Sequence, residues 1–209
     1  NPALTKSDDY PNFYRTIASD DSQARLEVDF ALDTLKVKKV AVLHDKGDYG
    51  KGRADFAKGF LEADSRAEVV LYEGITPGAV DYSAVVQKIK QSEAEAVIFG
   101  GYHPEASKIV TQMRKRKMKT IFISDDGVKD DTFIKVAGKY AEGVYATGPK
   151  DVSQNPMAIA ANTTATLHQL TIRGALTLAA DGGENVGGVG LEWAGAGEGE
   201  GEESCEGGG

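Results

Sequence analysis

Three short stretches of this 209-residue sequence put reactive or ligand-binding side chains just where an apolar run stops. They are "HDKGDYGKG" from His44, "GGYHPE" from Gly100 and "SDDGV" from Ser124. They supply Asp45, Asp48 and Tyr49, then Tyr102 and His103, then Asp125 and Asp126. Aromatic faces pack an apolar group or a cation, and a carboxylate pairs with an ammonium. Two tyrosines and a carboxylate on one rim therefore suit a zwitterionic small molecule better than a phosphate. Tyr49, Tyr102 and Asp126 are the candidate ligand contacts. Each also has a plainer explanation. A tyrosine at a strand end often packs with a wet hydroxyl, and an aspartate before Gly127 shapes a turn. Asp48 suits a cap for the helix that follows. His103, before Pro104, fits a loop better than acid–base work.

Other chemistries find little support. The cluster Gly47, Gly50 and Gly52 is not a dinucleotide-binding glycine motif, and no phosphate-loop signature occurs. No nucleophile elbow is present. The single cysteine, Cys205, allows no intrachain disulfide, and three scattered histidines have no metal-ligand spacing. The residues point to a binder, with no cofactor or catalytic group invoked. A competing reading is a flavodoxin-like signalling or phosphoryl-transfer domain, with Asp45, Asp125 and Asp126 holding Mg²⁺. That reading leaves both tyrosines without a role.

Such residues can meet only if the elements between them place the strand ends on one edge. The pattern predicts strands at Lys38–Asp45, Ala67–Ile75, Ala96–Gly101, Lys119–Asp126 and Glu142–Pro149. Helical periodicity separates them: Gly50–Asp64 with Phe56, Phe60 and Leu61 on one face, Asp81–Glu93 capped by Asp81, Pro104–Lys117, and Asp130–Gly138. An opening helix is expected over Ser19–Lys36, and an edge strand over Asn12–Ile17. Alternating strands and helices imply right-handed crossovers and a doubly wound parallel α/β sheet with helices on both faces. Ligands of such sheets bind beyond the carboxyl ends of the strands. Gly100 and Gly101 would let the chain leave the sheet sharply and keep the space above it open.

Charge is unevenly placed. None of the 24 bases and eight of the 32 acids follow Arg173, so the body balances and the net charge of −8 resides in the tail. No basic stripe suits a nucleic-acid backbone. The dense basic stretch "MRKRKMK" reads as a solvated helix end. No apolar run approaches the roughly 18 residues that span a bilayer. "NPALTKSDDYPNFYRT" lacks the basic start and apolar run of a signal peptide, which suits a cytosolic chain or a mature or trimmed product. Residues 152–180 read as a further helix of the same unit. Residues 181–209 hold nearly half of the 25 glycines, mixed with glutamates, and read as a tail too polar to pack.

In order along residues 1–151, "NPALT", "FYRTIASDDSQ", "VAVLHDKGDYGKG", "EGITPGAVDYSAVVQKIK", "VIFGGYHPEA", "FISDDGV" and "AGKYAEGVYATGPKD" are familiar. Together they resemble the second lobe of the periplasmic leucine/isoleucine/valine-binding proteins, branched-chain amino acid members of the type I periplasmic binding protein fold. The resemblance implies that Tyr49 and Tyr102 line an amino acid site and that Asp126 pairs with the ligand's α-ammonium. It implies binding without chemistry: two lobes close on an amino acid in the periplasm, and the closed form docks on an ABC transporter permease. The first lobe of such proteins supplies hydroxyls and amides for the ligand carboxylate, and nothing here matches it. "NPALT" resembles the crossover into the second lobe. "GVGLEWAGAGE" resembles the return to the first, with Trp193 marking the crossing.

Overall fold

The structure is a computed structural model that describes residues 1–13, 15, 17–149, 178–179 and 189–194. Five parallel strands form its body: β1 (Lys39–His44), β2 (Glu68–Gly74), β3 (Ala96–Gly100), β4 (Ile121–Ser124) and β5 (Val144–Pro149). The order across the sheet is β2-β1-β3-β4-β5, continued by two strands described below. The helices are α1 (Ala3–Lys6), α2 (Asp20–Asp29), α3 (Asp48–Glu62), α4 (Ser83–Gln91), α5 (His103–Lys115) and α6 (Asp131–Ala137).

Strand residues alternate between the two faces of a sheet, and here both faces are buried. Val40, Val42, Ala96, Ile98 and Ile123 pack with residues of α2 and α3 on one side. Ala41, Leu43, Val97, Phe99 and Phe122 pack under α4, α5 and α6 on the other. Fully burying one such side chain contributes roughly 1.5–3 kcal/mol. That is why the short runs "VAVL" and "AVIF" hold the centre of the sheet.

Several elements differ in detail from the sequence reading. Asn12–Ile17 is not a strand among its described residues; Phe13 N–H donates to Tyr10 O at 3.0 Å, closing a turn instead. The opening helix widens after Asp29: Leu35 N–H reaches back five residues to Phe30 O at 3.0 Å, the π pattern. Helix α3 packs Phe56 and Phe60 against the core only in part. Ala54, Ala57 and Leu61 face the sheet, while the two rings stack on the flank with centroids 6.4 Å apart. The first turn of α3 sits too close to β3 for large side chains, as shown below. Asp81 does not begin α4; from two residues upstream, it accepts the Ser83 N–H at 3.1 Å.

Strand β6 (Leu178–Ala179) and strand β7 (Val189–Ala194) complete the sheet, β7 antiparallel to both β5 and β6. Trp193 stands opposite Tyr145 in this pairing. The helix expected over 152–180 lies outside the described residues, except at Leu178–Ala179, which are strand. Most of the glycine-rich ending also lies outside them.

Candidate functional site

The carboxyl ends of β1, β3 and β4 lie side by side, and two pairs of glycines draw their loops together. Asp45 N–H donates to Gly100 O at 3.1 Å, and the Asp45 carboxylate accepts the Gly47 N–H at 2.8 Å. The chain then enters α3 with Gly47 as N-cap, so Asp48 sits in the first turn and does not cap it. Gly50, in that same turn, rests on the end of β3. A Cβ at Gly100 would lie 2.1 Å from Gly50 O, and one at Gly50 would lie 2.5 Å from Gly100 O. The space above Gly100 is therefore not open, as the sequence suggested; the helix backbone fills it. The loops after β3 and β4 lock in the same way. A Cβ at Gly127 would lie 2.5 Å from Gly101 O, and His103 N–H donates to Gly127 O at 3.0 Å.

This packing brings Tyr49, Tyr102 and Asp126 together. Tyr49 donates its hydroxyl to Asp126 Oδ1 at 2.5 Å. The two phenol rings lie 5.6 Å apart and tilted by 38°. Tyr102 is 48% exposed, standing at the rim. All three line one hollow of about 280 Å³, with Ile17, Asp20 and Gln23 completing the wall. That is just below the roughly 300–1,000 Å³ of clefts for drug-sized ligands, a size for a small metabolite. Asp126 Oδ2 and the Tyr102 hydroxyl take no hydrogen bond from the described residues. Burial pushes the Tyr49 phenol above its ordinary range, with nearby Asp125 adding to it, so Tyr49 stays a neutral donor.

The other candidates lie elsewhere. Asp48 is exposed and borders a separate hollow with Tyr10 and Lys51. His103 begins α5, and Asp45 is spent on its turn. Asp45, Asp125 and Asp126 do not make the Mg²⁺ cluster of the competing reading: no three such groups among the described residues are placed to hold a metal. Asp125 points inward instead. It accepts Gly101 N–H at 3.2 Å and Gly127 N–H at 2.9 Å, and faces Arg53 Nε at 3.2 Å.

Beneath the hollow lies a buried polar cluster that sequence reading missed. Arg53 Nη1 donates to Gln23 Oε1 at 2.5 Å, and Nη2 donates to Glu27 Oε1. Thr147 donates its hydroxyl toward the same two oxygens, at 3.3 and 3.2 Å. Arg53, Glu27, Gln23, Asp125 and Thr147 are all almost wholly buried. One guanidinium thus serves two buried acids. Burial pushes the Glu27 carboxyl up against the pull of Arg53. It pushes Asp125 up to about 8, with Arg53 pulling down and Glu27 adding to the rise. The N–H donors around Asp125 favour its anion, but burial and the second acid prevail. Burial alone would lower Arg53, yet Glu27 and Asp125 outweigh it and hold the guanidinium charged.

Ile17, Asp20 and Gln23 do not follow a strand in the sequence, so the strand-end rule does not reach them. A usable signal existed. A helix that leads into a parallel strand starts at the strand's carboxyl end, so the first turn of α2 had to sit beside the site.

Comparison with known proteins identifies the family of the chain. The periplasmic binding protein family matches residues 1–166. A Leu/Ile/Val-binding protein homolog of Brucella melitensis is 40% identical over 147 residues, 70% of this chain and 40% of the relative. An amino acid binding protein of Pseudomonas aeruginosa is 44% identical over 149 residues, 70% of this chain and 39% of the relative. The chain thus spans about two fifths of the length of these curated relatives. Among solved structures, the branched-chain amino acid substrate-binding protein LivJ of Streptococcus pneumoniae, in complex with isoleucine, superposes with a TM-score of 0.62. It is 29% identical, and the match covers 71% of this chain and 41% of LivJ. The leucine-binding protein LivK of Thermotoga maritima gives 0.65 at 26% identity, over 71% of this chain and 41% of LivK. With the family matched over residues 1–166 and the doubly wound sheet shared with these structures, the chain belongs to the periplasmic binding proteins and carries the α/β lobe architecture of their type I fold.

Proposed function

We propose that this chain carries one half of an amino acid site, in the substrate-binding component of an ABC importer for branched-chain or related amino acids. The observation that carries the reading is the convergence of Tyr49, Tyr102 and Asp126 on one small hollow. In this role Asp126 Oδ2 takes the ligand's ammonium while Oδ1 stays tied to Tyr49. The phenol rings flank the ammonium and the adjoining apolar carbons. The protein binds and does not transform its ligand, works in the periplasm, and presents the occupied form to a membrane permease. The relatives named for leucine, isoleucine and valine support this ligand class.

Two-dimensional NMR of the ¹⁵N-labelled chain tests the reading. Leucine, isoleucine or valine at tens of millimolar should shift the backbone amides of Tyr49, Tyr102, Asp126 and Gly127. Silence at those four amides with every amino acid tried would overturn it.

A further inference from the structure

Gln23 is 3% exposed, yet its side chain forms part of the wall of the hollow. Its orientation is settled by its neighbours. A guanidinium can only donate, so the atom 2.5 Å from Arg53 Nη1 must be the amide oxygen. Thr147 also directs its hydroxyl at that oxygen. The two corners of a carboxamide point apart, so holding Oε1 on the Arg53 side turns Nε2 away from the cluster. No acceptor for Nε2 exists among the described residues. Among the described residues only Arg53 Nε is an enclosed side-chain nitrogen or oxygen without a hydrogen bond, so Nε2 is not sealed in the cluster; with Gln23 in the wall of the hollow, the hollow is where a partner can reach it.

We propose that Gln23 is a further ligand-contacting residue, whose Nε2 donates a hydrogen bond to an oxygen acceptor of the bound amino acid, with Arg53 as the residue that positions it. The proposal rests on the amino-acid reading above and adds a chemical requirement to it. Tyr49 and Asp126 select the cationic end of the ligand, whereas Gln23 selects an oxygen. That oxygen belongs either to the ligand carboxylate or to a polar side chain. Because Arg53 is fixed in turn by Glu27, the donor is held in place before the ligand arrives.

The Gln23 side-chain N–H₂ pair can be followed directly in the ¹⁵N spectra of the unmodified chain, so no variant need fold. Three probes separate the sources: L-leucine, L-threonine, and 3-methylbutylamine, which keeps the leucine ammonium and side chain but has no oxygen. A shift of the Gln23 pair with leucine and not with the amine assigns the carboxylate. A shift with threonine but not with leucine assigns a side-chain oxygen. Gln23→Leu should then weaken the responsive ligand on the order of tenfold while leaving the amine unaffected. If the Tyr49 and Asp126 amides respond but the Gln23 pair is still, or moves equally with the amine, the inference fails and the amino-acid reading stands. If no site amide responds to any probe, both fail.

Discussion

At the residue scale, the hollow assigns Asp126 its weight through its two oxygens. One is held by the Tyr49 hydroxyl, and the other takes no hydrogen bond from the described residues, leaving it able to accept a charged donor. A hydrogen bond involving a charged group contributes about 1.5–3 kcal/mol. Asp126→Asn should therefore weaken amino acid binding by roughly 10–100-fold with little loss of stability, measured by NMR titration beside thermal denaturation. Asp125, its sequence neighbour, should behave in the opposite way. Its folded carboxyl is raised to about 8 by burial, against roughly 4 in an unfolded chain. The folded state therefore holds an extra proton between those values. The stability linked to it is complete below about pH 4 and is lost as pH rises through about 8. Urea denaturation from pH 5 to pH 9 should show a falling midpoint, and Asp125→Asn should flatten that slope. The residues themselves were legible in sequence as strand-end polar groups. Asp126 was singled out there too; that Asp125, one residue before it, turns inward to Arg53 was not legible, because a one-residue step reverses direction at the end of a strand.

At the scale of elements, the contact of α3 with β3 decides the site. Gly50 and Gly100 meet backbone to backbone, and this places Tyr49 beside Tyr102. Gly100→Ala would force a methyl group to within 2.1 Å of Gly50 O. Overpacking costs typically about 1–3 kcal/mol and sometimes more, and here the obstacle is backbone. Gly100→Ala should lower the unfolding midpoint markedly and abolish ligand-induced shifts at Tyr49. Gly52, in the same helix, is the control: nothing lies within 4 Å of its Cβ position. Gly52→Ala should stabilise the chain by about 0.5–1 kcal/mol in the same assay. Strands and helices were readable from periodicity. The expected face of α3 does meet the core, but with Leu61 fully buried and Phe56 and Phe60 at its edge, because periodicity cannot report how closely a helix approaches its sheet.

At the scale of the whole molecule, the described residues give the hollow two carboxylates, Asp20 and Asp126, two aromatic faces and the Gln23 carboxamide, but no cationic side chain to meet a carboxylate. The chain also spans only about two fifths of its curated relatives. Removing the groups that would meet the other end of a zwitterion should cost several kcal/mol, on the order of one or two sets of charge-assisted hydrogen bonds. Leucine binding to this 209-residue chain should therefore be weaker than micromolar by isothermal titration calorimetry; a micromolar dissociation constant would contradict the half-site reading.

By itself the sequence determined the parallel sheet, since buried strands and amphipathic helices alternate with a periodicity that local physics sets. It also determined which polar residues stand at the strand ends, because a turn must follow each apolar run. Only the tertiary structure decided that α2 closes the hollow with Gln23, and that Arg53 lies buried beneath it between two acids. Those contacts join residues far apart in the chain, and their geometry depends on how near α3 can come to β3, a distance that no local pattern encodes.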